Sequence, residues 1–200
     1  MNVCKITTNI GHRGFGELTR VFDLLLSALG LLVFSPILLV IFLAVRFETH
    51  SPFFIQDRLG RNLEPFKLYK FRTMSIDTAS LPSHLVNRAA VTKLGRFLRQ
   101  NKLDELPQLW NVFKGDMSLV GPRPNLLSQV DLIEKRKAAG IFKVKPGITG
   151  LAQIKKVDMS QPCLLVQLDA QMIRRFTLAK YFYYIYRTML GAGSGDQTNE

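Results

Sequence analysis

Asp104 and Glu105 stand side by side in the 22-residue stretch Leu103–Pro124, LDELPQLWNVFKGDMSLVGPRP, whose residue types suit chemistry better than packing. Adjacent carboxylates can share a metal ion or divide the work of nucleophile and base. Surrounding cations keep an aspartate ionised, as an attacking group must be. On a helix the two side chains would diverge by roughly 100°. Taken alone, such a pair is commonplace and a plain helix start accounts for it better, with Asp104 as N-cap and Glu105 and Pro107 in the first turn. The surroundings favour a site. Gly115 and Gly121 suit a backbone that approaches a ligand closely. Pro122 and Pro124 hold Arg123 on a stiff loop, where a planar guanidinium suits bidentate contact with phosphate; the alternative is a solvated turn. In KFRTM, Lys70 and Arg72 alternate on a strand and share a face, either as a second anion site or as charges guarding an exposed edge.

The balance of charge points the same way. Twenty-seven Lys and Arg against 15 Asp and Glu give a formal net charge of +12, a field that gathers nucleic acid, anionic headgroups or phosphorylated small molecules. With 47% apolar residues in 200, the chain can build one domain with a real core. Cys4 and Cys163 are too far apart in sequence for ligand spacing, which argues against a disulfide framework or zinc site and fits a reducing compartment. His12, His50 and His84 read as ordinary surface or loop residues.

These groups need elements to hold them. Residues 1–19 read as a flexible lead. Leu24–Val45 then runs 22 residues without a charge, roughly 33 Å as one helix. Ser35-Pro36 breaks it into halves of about ten residues, each too short to span a bilayer. Lys5, Arg13 and Arg20 precede the run, and Arg46, Arg58, Arg61, Lys67 and Lys70 follow it. Positive charge on both flanks puts both ends on one side of a membrane. A re-entrant helix-break-helix over 20–48 satisfies this, with the Ser35 hydroxyl taking up a backbone group freed by Pro36. A kinked spanning helix, a signal peptide and a buried core helix are the competing readings.

Residues 49–190 then read as a compact cytosolic domain. FFIQ and FKLYKFRTM are two short strands joined by a turn with Gly60 and Asn62, and Phe66, Leu68 and Lys70 share one face. Asp77–Asn87 is a mobile loop. Thr92 opens a short basic helix with Leu94, Phe97 and Leu98 on one side. Leu126–Ala139 is a helix ended by Gly140, and VKPGITGLAQIKK is turn-rich and leads into a strand-like run. Gln171–Leu190 is read as one helix, with Met172, Phe176, Ala179, Phe182 or Tyr183, Tyr186 and Met189 on one face, lying on a membrane or docked on the core. Residues 191–200 form a flexible tail. The fold class expected is α/β in the mixed α+β sense: a re-entrant membrane helix-break-helix, then a catalytic domain with a small β-hairpin or sheet and amphipathic interface helices.

The segments RVFDLLLSALGLLVFSP, FIQDRLG, FKLYKFRTM, TKLGRFLRQNKLDELPQLWNVFKGDMSLVGPRP and VKPGITGLAQ, in that order from about Arg20 to Tyr186, resemble the monotopic phosphoglycosyl transferases, the bacterial sugar transferase family. The resemblance implies transfer of a sugar-1-phosphate from a UDP-sugar to a polyprenol (undecaprenyl) phosphate, with release of UMP. It implies that Asp104 attacks the β-phosphate and becomes covalently phosphoglycosylated. Glu105 then assists proton transfer, and Asp104 and Glu105 place Mg²⁺. Arg123 holds phosphate, Lys70, Arg72, Arg96 and Arg99 match basic positions of the pattern, and Ser35-Pro36 makes the re-entrant break. The implied location is the cytoplasmic face of a bacterial inner membrane, among its lipids, with no nucleic acid partner and with a homodimer left open.

The sequence also departs from that pattern. Leu151 replaces the tryptophan of the Gly-Trp-Ala-Gln motif, and Lys155-Lys156-Val157 replaces a frequent Asn-Gly-Arg. Asn101-Lys102 stands where Thr-Ser is common. These positions bear on the donor sugar, for which an N-acetylated or 6-deoxy amino hexose is expected. The extra helices and soluble region of larger members are not seen, so the small catalytic-unit type is expected. A membrane-tethered basic nucleic-acid-binding protein is the alternative from another class, and it needs no placed acid pair. An inert scaffold of the same fold fits less well, because the LDELP segment is intact.

Overall fold

A computed structural model of the chain describes residues 16–75 and 90–192. The expected lead up to residue 15, the Asp77–Asn87 loop, the tail from 193, and Cys4, His12 and His84 lie outside the described residues.

Helices α1 (Glu17–Val33) and α2 (Ser35–Thr49) meet at a 63° bend. No single helix among the described residues is long and apolar enough to cross a membrane, and only the bent pair together has the length and composition. Pro36 lacks the N–H that would reach the Leu32 carbonyl one turn back, and the Ser35 hydroxyl donates to that carbonyl at 2.7 Å. The expected compensation at the break is therefore present. The burial of α1 is inverted relative to an ordinary core helix. Thr19, Asp23 and Ser27 are buried, whereas Leu25, Leu29 and Leu32 are exposed. The polar stripe faces the rest of the protein.

Strands β1 (Phe53–Leu59) and β2 (Pro65–Phe71) form the expected antiparallel hairpin, running from Phe53 opposite Phe71 to Leu59 opposite Pro65. Its turn places Asn62 and Leu63 at left-handed backbone angles. Helix α3 (Lys93–Gln100) opens as expected at Thr92, whose side chain accepts the Gly95 N–H. Leu98 is buried but Phe97 is exposed, so the apolar side of this helix is narrower than its sequence suggests. Gly95 admits a close approach, since a Cβ there would lie 2.1 Å from the Thr73 carbonyl oxygen.

Helix α4 (Gln108–Lys114) leads to β3 (Ser118–Val120), which pairs in parallel with β4 (Gly147–Thr149). The crossover carries α5 (Val130–Ala138). This helix begins four residues later than the sequence predicts, because Leu126 bridges to Arg58 and its N–H goes to the Gln129 side chain. Gly140 ends it at φ +70° as expected. Within VKPGITGLAQIKK lies a helical turn, α6 (Leu151–Ile154), and the strand-like run expected after Lys156 is not formed, the next regular element there being the helix Pro162–Arg174. The strand here lies upstream, where Gly147 meets Gly121 backbone to backbone.

The helix expected over 171–190 is two helices, α7 (Pro162–Arg174) and α8 (Leu178–Met189). Thr177 is extended and caps α8 by accepting the Lys180 N–H, which resets the register. The buried face of α8 is accordingly Tyr181 and Tyr184, while Ala179, Phe182, Tyr183, Tyr186 and Met189 are exposed. It is docked on one side and apolar on the other.

Among the described residues, three apolar clusters hold the fold. One joins α5, α6 and α7, a second joins β2, α4 and β3 to Tyr181 and Tyr184, and a third seats α2 on Phe71 and Leu98. Among the described residues the result is a mixed helix-and-sheet architecture with two small sheets.

Candidate functional site

Asp104 and Glu105 occupy a single 3₁₀ turn, Leu103–Glu105, between α3 and α4. Lys102 leads into it at φ +56°, and its carbonyl accepts the Glu105 N–H at 3.2 Å. Asp104 is therefore no helix N-cap: Pro107 holds that position for α4. Asp104 is buried at 8% exposure, and Glu105 is half-buried.

One oxygen of Glu105 gathers cations from two other elements. Oε1 accepts from Lys70 Nζ of β2 at 2.8 Å and from Arg123 Nη2 of the Pro-Arg-Pro loop at 3.1 Å. Charge-assisted bonds of this kind are short and oriented. Their placement depends on Asn111 of α4, which is fully buried. Its Oδ1 accepts the Tyr69 N–H at 3.1 Å and its Nδ2 donates to the Lys67 carbonyl at 2.7 Å. That pair of bonds fixes β2 on α4 one residue before Lys70.

The Arg123 loop is held from behind. Arg136 of α5 donates through Nη1 to the Arg123 carbonyl at 2.7 Å and to Asn125 Oδ1 at 3.0 Å. Its Nη2 donates to Asp169 of α7 at 2.7 Å, and the two side chains are only 2% and 0% exposed. Two prolines and a buried ion pair thus present Arg123 toward Glu105.

The glycines serve packing rather than ligand approach. The Gly121 N–H donates to the Thr149 carbonyl at 2.8 Å, and a Cβ there would lie 2.5 Å from the Lys145 carbonyl oxygen. Gly115 closes α4 at φ +103°, with its N–H spent on Asn111 and Val112. The expectation that the backbone at these two glycines approaches a ligand is corrected accordingly.

The remaining basic candidates divide. Arg72 lies just beyond β2 and turns away from Glu105: Nε donates to the Ser51 carbonyl at 3.0 Å, Nη2 reaches Ser51 Oγ and the Phe53 carbonyl, and the guanidinium covers the Phe54 ring. The face it was expected to share with Lys70 is lost because its side chain closes the junction between α2 and β1. Arg99 Nε donates to Thr73 Oγ1 at 2.8 Å, while its buried Nη1 has no hydrogen-bond partner among the described residues. Arg96 is exposed on α3.

Lys102 was not among the candidates read from the sequence. The residue is half-buried, and its Nζ donates to the Ala192 carbonyl at 2.7 Å. Burial lowers its ammonium below the ordinary lysine range; Glu105 opposes that shift, and Arg123 and Lys156 add to it. Arg136, Asp169, Asn111, Arg20 and Asp23 were also missed as supports. Arg20 donates to the Val112 and Phe113 carbonyls at the end of α4, at 2.6 and 2.8 Å. Asp23 accepts from Ser118 Oγ, the Leu119 N–H and the Tyr181 hydroxyl, tying α1 to β3 and α8. The available signal was a lone carboxylate inside an apolar run, as in VFDLLL and LLVQLDA.

No group of three or more His, Cys, Asp or Glu suited to a metal lies among the described residues. The adjacent carboxylates of Asp104 and Glu105 fit Mg²⁺, which takes one or two carboxylates and completes its shell with water and substrate phosphate.

The family described as bacterial sugar transferase matches residues 16–193. An uncharacterized sugar transferase of Haemophilus influenzae is 30% identical over 205 residues, 94% of this chain and 42% of its own length. A UDP-glucose:undecaprenyl-phosphate glucose-1-phosphate transferase of Klebsiella pneumoniae is 44% identical over 140 residues, 68% of this chain and 30% of that protein. A UDP-N-acetylgalactosamine-undecaprenyl-phosphate N-acetylgalactosaminephosphotransferase of Aeromonas hydrophila is 31% identical over 183 residues, 88% of this chain and 43% of that protein. The chain spans less than half the length of each of these three relatives. With a family match running from the start of α1 past the end of α8, the chain belongs to the bacterial sugar transferase family.

Proposed function

We propose that this chain transfers a sugar-1-phosphate from a UDP-sugar to polyprenol phosphate at the cytoplasmic face of a bacterial membrane, the first step in building a glycoconjugate. One observation carries the reading: Glu105 Oε1 draws Lys70 and Arg123 from separate elements to a point beside the buried Asp104. The activities named for the Klebsiella and Aeromonas relatives, both transfers to undecaprenyl phosphate, support the substrate class.

In the first half-reaction an Asp104 carboxylate oxygen attacks the β-phosphorus of the donor. A phosphorus–oxygen bond to Asp104 forms, the bond to the bridging α,β-oxygen breaks, and UMP leaves with that oxygen. In the second, an oxygen of polyprenol phosphate attacks the same phosphorus, Asp104 regains its carboxylate, and a polyprenyl diphosphate sugar results. Lys70 and Arg123, oriented by Glu105, hold the non-bridging oxygens through charge-assisted bonds. Asp104 and Glu105 would hold Mg²⁺, which would supply further neutralisation of phosphate charge. A covalent intermediate lets a soluble and a lipid substrate use one site in turn.

The bent helix pair supplies access to the lipid. Inserted as a re-entrant hairpin, it puts exposed Leu25, Leu29, Leu32, Val40 and Phe47 among acyl chains and keeps the polar stripe of α1 against the domain. For the donor we propose an N-acetylated or 6-deoxy amino hexose. The relatives' names differ in the sugar, so the donor is the variable part of the reaction.

The test is UMP release by detergent-solubilised protein given undecaprenyl phosphate, Mg²⁺ and a panel of UDP-sugars, beside Asp104→Asn. The expected result is lipid-dependent UMP from one class of donor, lost in the variant and on chelation of the metal. Oligonucleotide binding that survives Asp104→Asn, with no turnover of any donor, would sink this reading in favour of a nucleic-acid binder.

A further inference from the structure

Lys102 is held on three sides. Its N–H donates to the Arg99 carbonyl near the end of α3 at 3.1 Å, and its carbonyl accepts the Glu105 N–H at 3.2 Å. Between these bonds its backbone sits at φ +56°, a left-handed conformation that disfavours a side chain and concentrates at functional sites. The side chain then leaves the turn altogether. Its Nζ donates to the Ala192 carbonyl at 2.7 Å, 90 residues along the chain.

That acceptor is itself fixed, because α8 ends in a Schellman motif. Gly191 turns to φ +85°, its N–H donates to the Thr188 carbonyl at 3.0 Å, and the Ala192 N–H donates to the Arg187 carbonyl at 2.9 Å. The same last turn reaches the other half of the site. The Thr188 and Thr149 hydroxyls share a hydrogen bond, and the Thr149 carbonyl accepts the Gly121 N–H at 2.8 Å, two residues before Arg123. One end of α8 therefore touches both the acidic turn and the strand pair that leads into the Arg123 loop. Attack on phosphorus depends on the gap between those two parts, since reacting atoms must start about 3–3.5 Å apart.

Lys102 is also a departure from the pattern the chain resembles, with Asn101-Lys102 where Thr-Ser is common. A serine hydroxyl, one carbon from the backbone, lacks the reach of a four-carbon stem. We propose that Lys102 is a positioning residue, a strut from the C-terminal cap of α8 that sets the Asp104 turn at its working distance from the phosphate held by Arg123. The role rests on the transferase reading. Acting through Asp104, the strut bears on the chemical step and leaves donor binding alone.

The experiment measures kcat and KM for UMP release by the detergent-solubilised full chain, given undecaprenyl phosphate, Mg²⁺ and the UDP-sugar that wild type turns over. Wild type is compared with Lys102→Ser, Lys102→Arg, Gly191→Val and the double variant Lys102→Ser/Gly191→Val. A β-branched side chain is strained at the φ of Gly191, so Gly191→Val shifts the acceptor without touching Lys102. A misplaced turn is expected to lower kcat roughly 10- to 100-fold in Lys102→Ser and in Gly191→Val, with KM for the donor within about twofold of wild type. Lys102→Arg, which keeps donors on a long stem, should restore most of the rate. The double variant should be no slower than the slower single variant, because both cut one tie. A KM that rises while kcat holds would make Lys102 a substrate contact and overturn the strut. Unchanged kcat, or losses that multiply in the double variant, would overturn it too. So would a large fall in the thermal unfolding midpoint in both single variants, which would make the tie a matter of stability. Hydrogen exchange at the Glu105 amide reads the tie without turnover, and it should quicken in Lys102→Ser but not in Lys102→Arg. Wild-type turnover with unchanged kcat and exchange in Lys102→Ser removes the strut alone, whereas absence of wild-type turnover with any donor removes the reaction.

Discussion

Arg123–Glu105 and Arg136–Asp169 are the same chemical pair in opposite settings. The first joins side chains 28% and 16% exposed at 3.1 Å, and the second joins side chains 2% and 0% exposed at 2.7 Å. They are linked through one residue, because Arg136 donates to the carbonyl of Arg123 itself. Water reaches the front pair, so its guanidinium can exchange a carboxylate for a phosphate at modest cost. At the back, neither charge can be left alone, since an unpaired buried ion costs several kcal/mol. The front is built to let go and the back is built to hold. Under the proposed reaction, that contrast puts activity at the front and stability at the back.

The sharpest separation comes from Asp104→Asn. Removing the proposed nucleophile is expected to lower UMP release by roughly 10³-fold or more, while the midpoint of denaturant unfolding hardly moves. A large fall in that midpoint would place Asp104 with the structural polar groups instead. Arg136→Met is expected to do the reverse, at a cost of about 3–5 kcal/mol of unfolding free energy, because Asp169 is left charged or must protonate in the core. Adding Asp169→Leu should recover much of that loss. If the double variant is as unstable as the single, the pair is not the unit of stability.

Glu105→Gln tests the front directly. The ion pairs it breaks are partly exposed, and the stability change is expected to stay within about 1 kcal/mol. Lys70 and Arg123 lose the negative charge of their common acceptor, so the KM for donor should rise about tenfold, a cost of one oriented charged contact. A stability loss as large as that of Arg136→Met would erase the distinction between front and back.

The front was legible in the sequence and the back was not, for a physical reason. Asp104-Glu105 and Pro122-Arg123-Pro124 announce themselves through local stereochemistry: adjacent acids, and prolines that stiffen what lies between them. The hairpin and the Ser35-Pro36 break are likewise local. Arg136 meets Asp169 across 33 residues and Asp23 meets Tyr181 across 158, and a linear reading has no measure of such distances. The break between α7 and α8 was missed because Met172 and Phe176 continue a helical period in sequence although Thr177 restarts the register. Arg72 was misplaced for the opposite reason. Strand parity put it on the face of Lys70, but parity ends with the strand, and its side chain found the Ser51 carbonyl.

Tyr181→Phe extends the contrast to the interface between α1 and the domain. The Tyr181 hydroxyl is buried and donates to Asp23 at 2.8 Å. Burial first, and then the Asp23 carboxylate, raise its ionisation well above the ordinary tyrosine range. In the unfolded chain the same group ionises near pH 10, at about its unperturbed value. Folding therefore favours the protonated phenol, and this contribution is fully present below pH 10 and is lost as pH climbs above it. Removing the hydroxyl should cost about 1 kcal/mol at neutral pH, the value of one hydrogen bond. It should also flatten the alkaline decline, so that wild type and variant converge as pH rises above 10. Denaturant melts at pH 7, 9 and 10.5 check both parts. Parallel declines for the two proteins would mean that the loss of stability in alkali arises elsewhere, and the tie between α1 and α8 would then be a packing contact with an incidental hydroxyl.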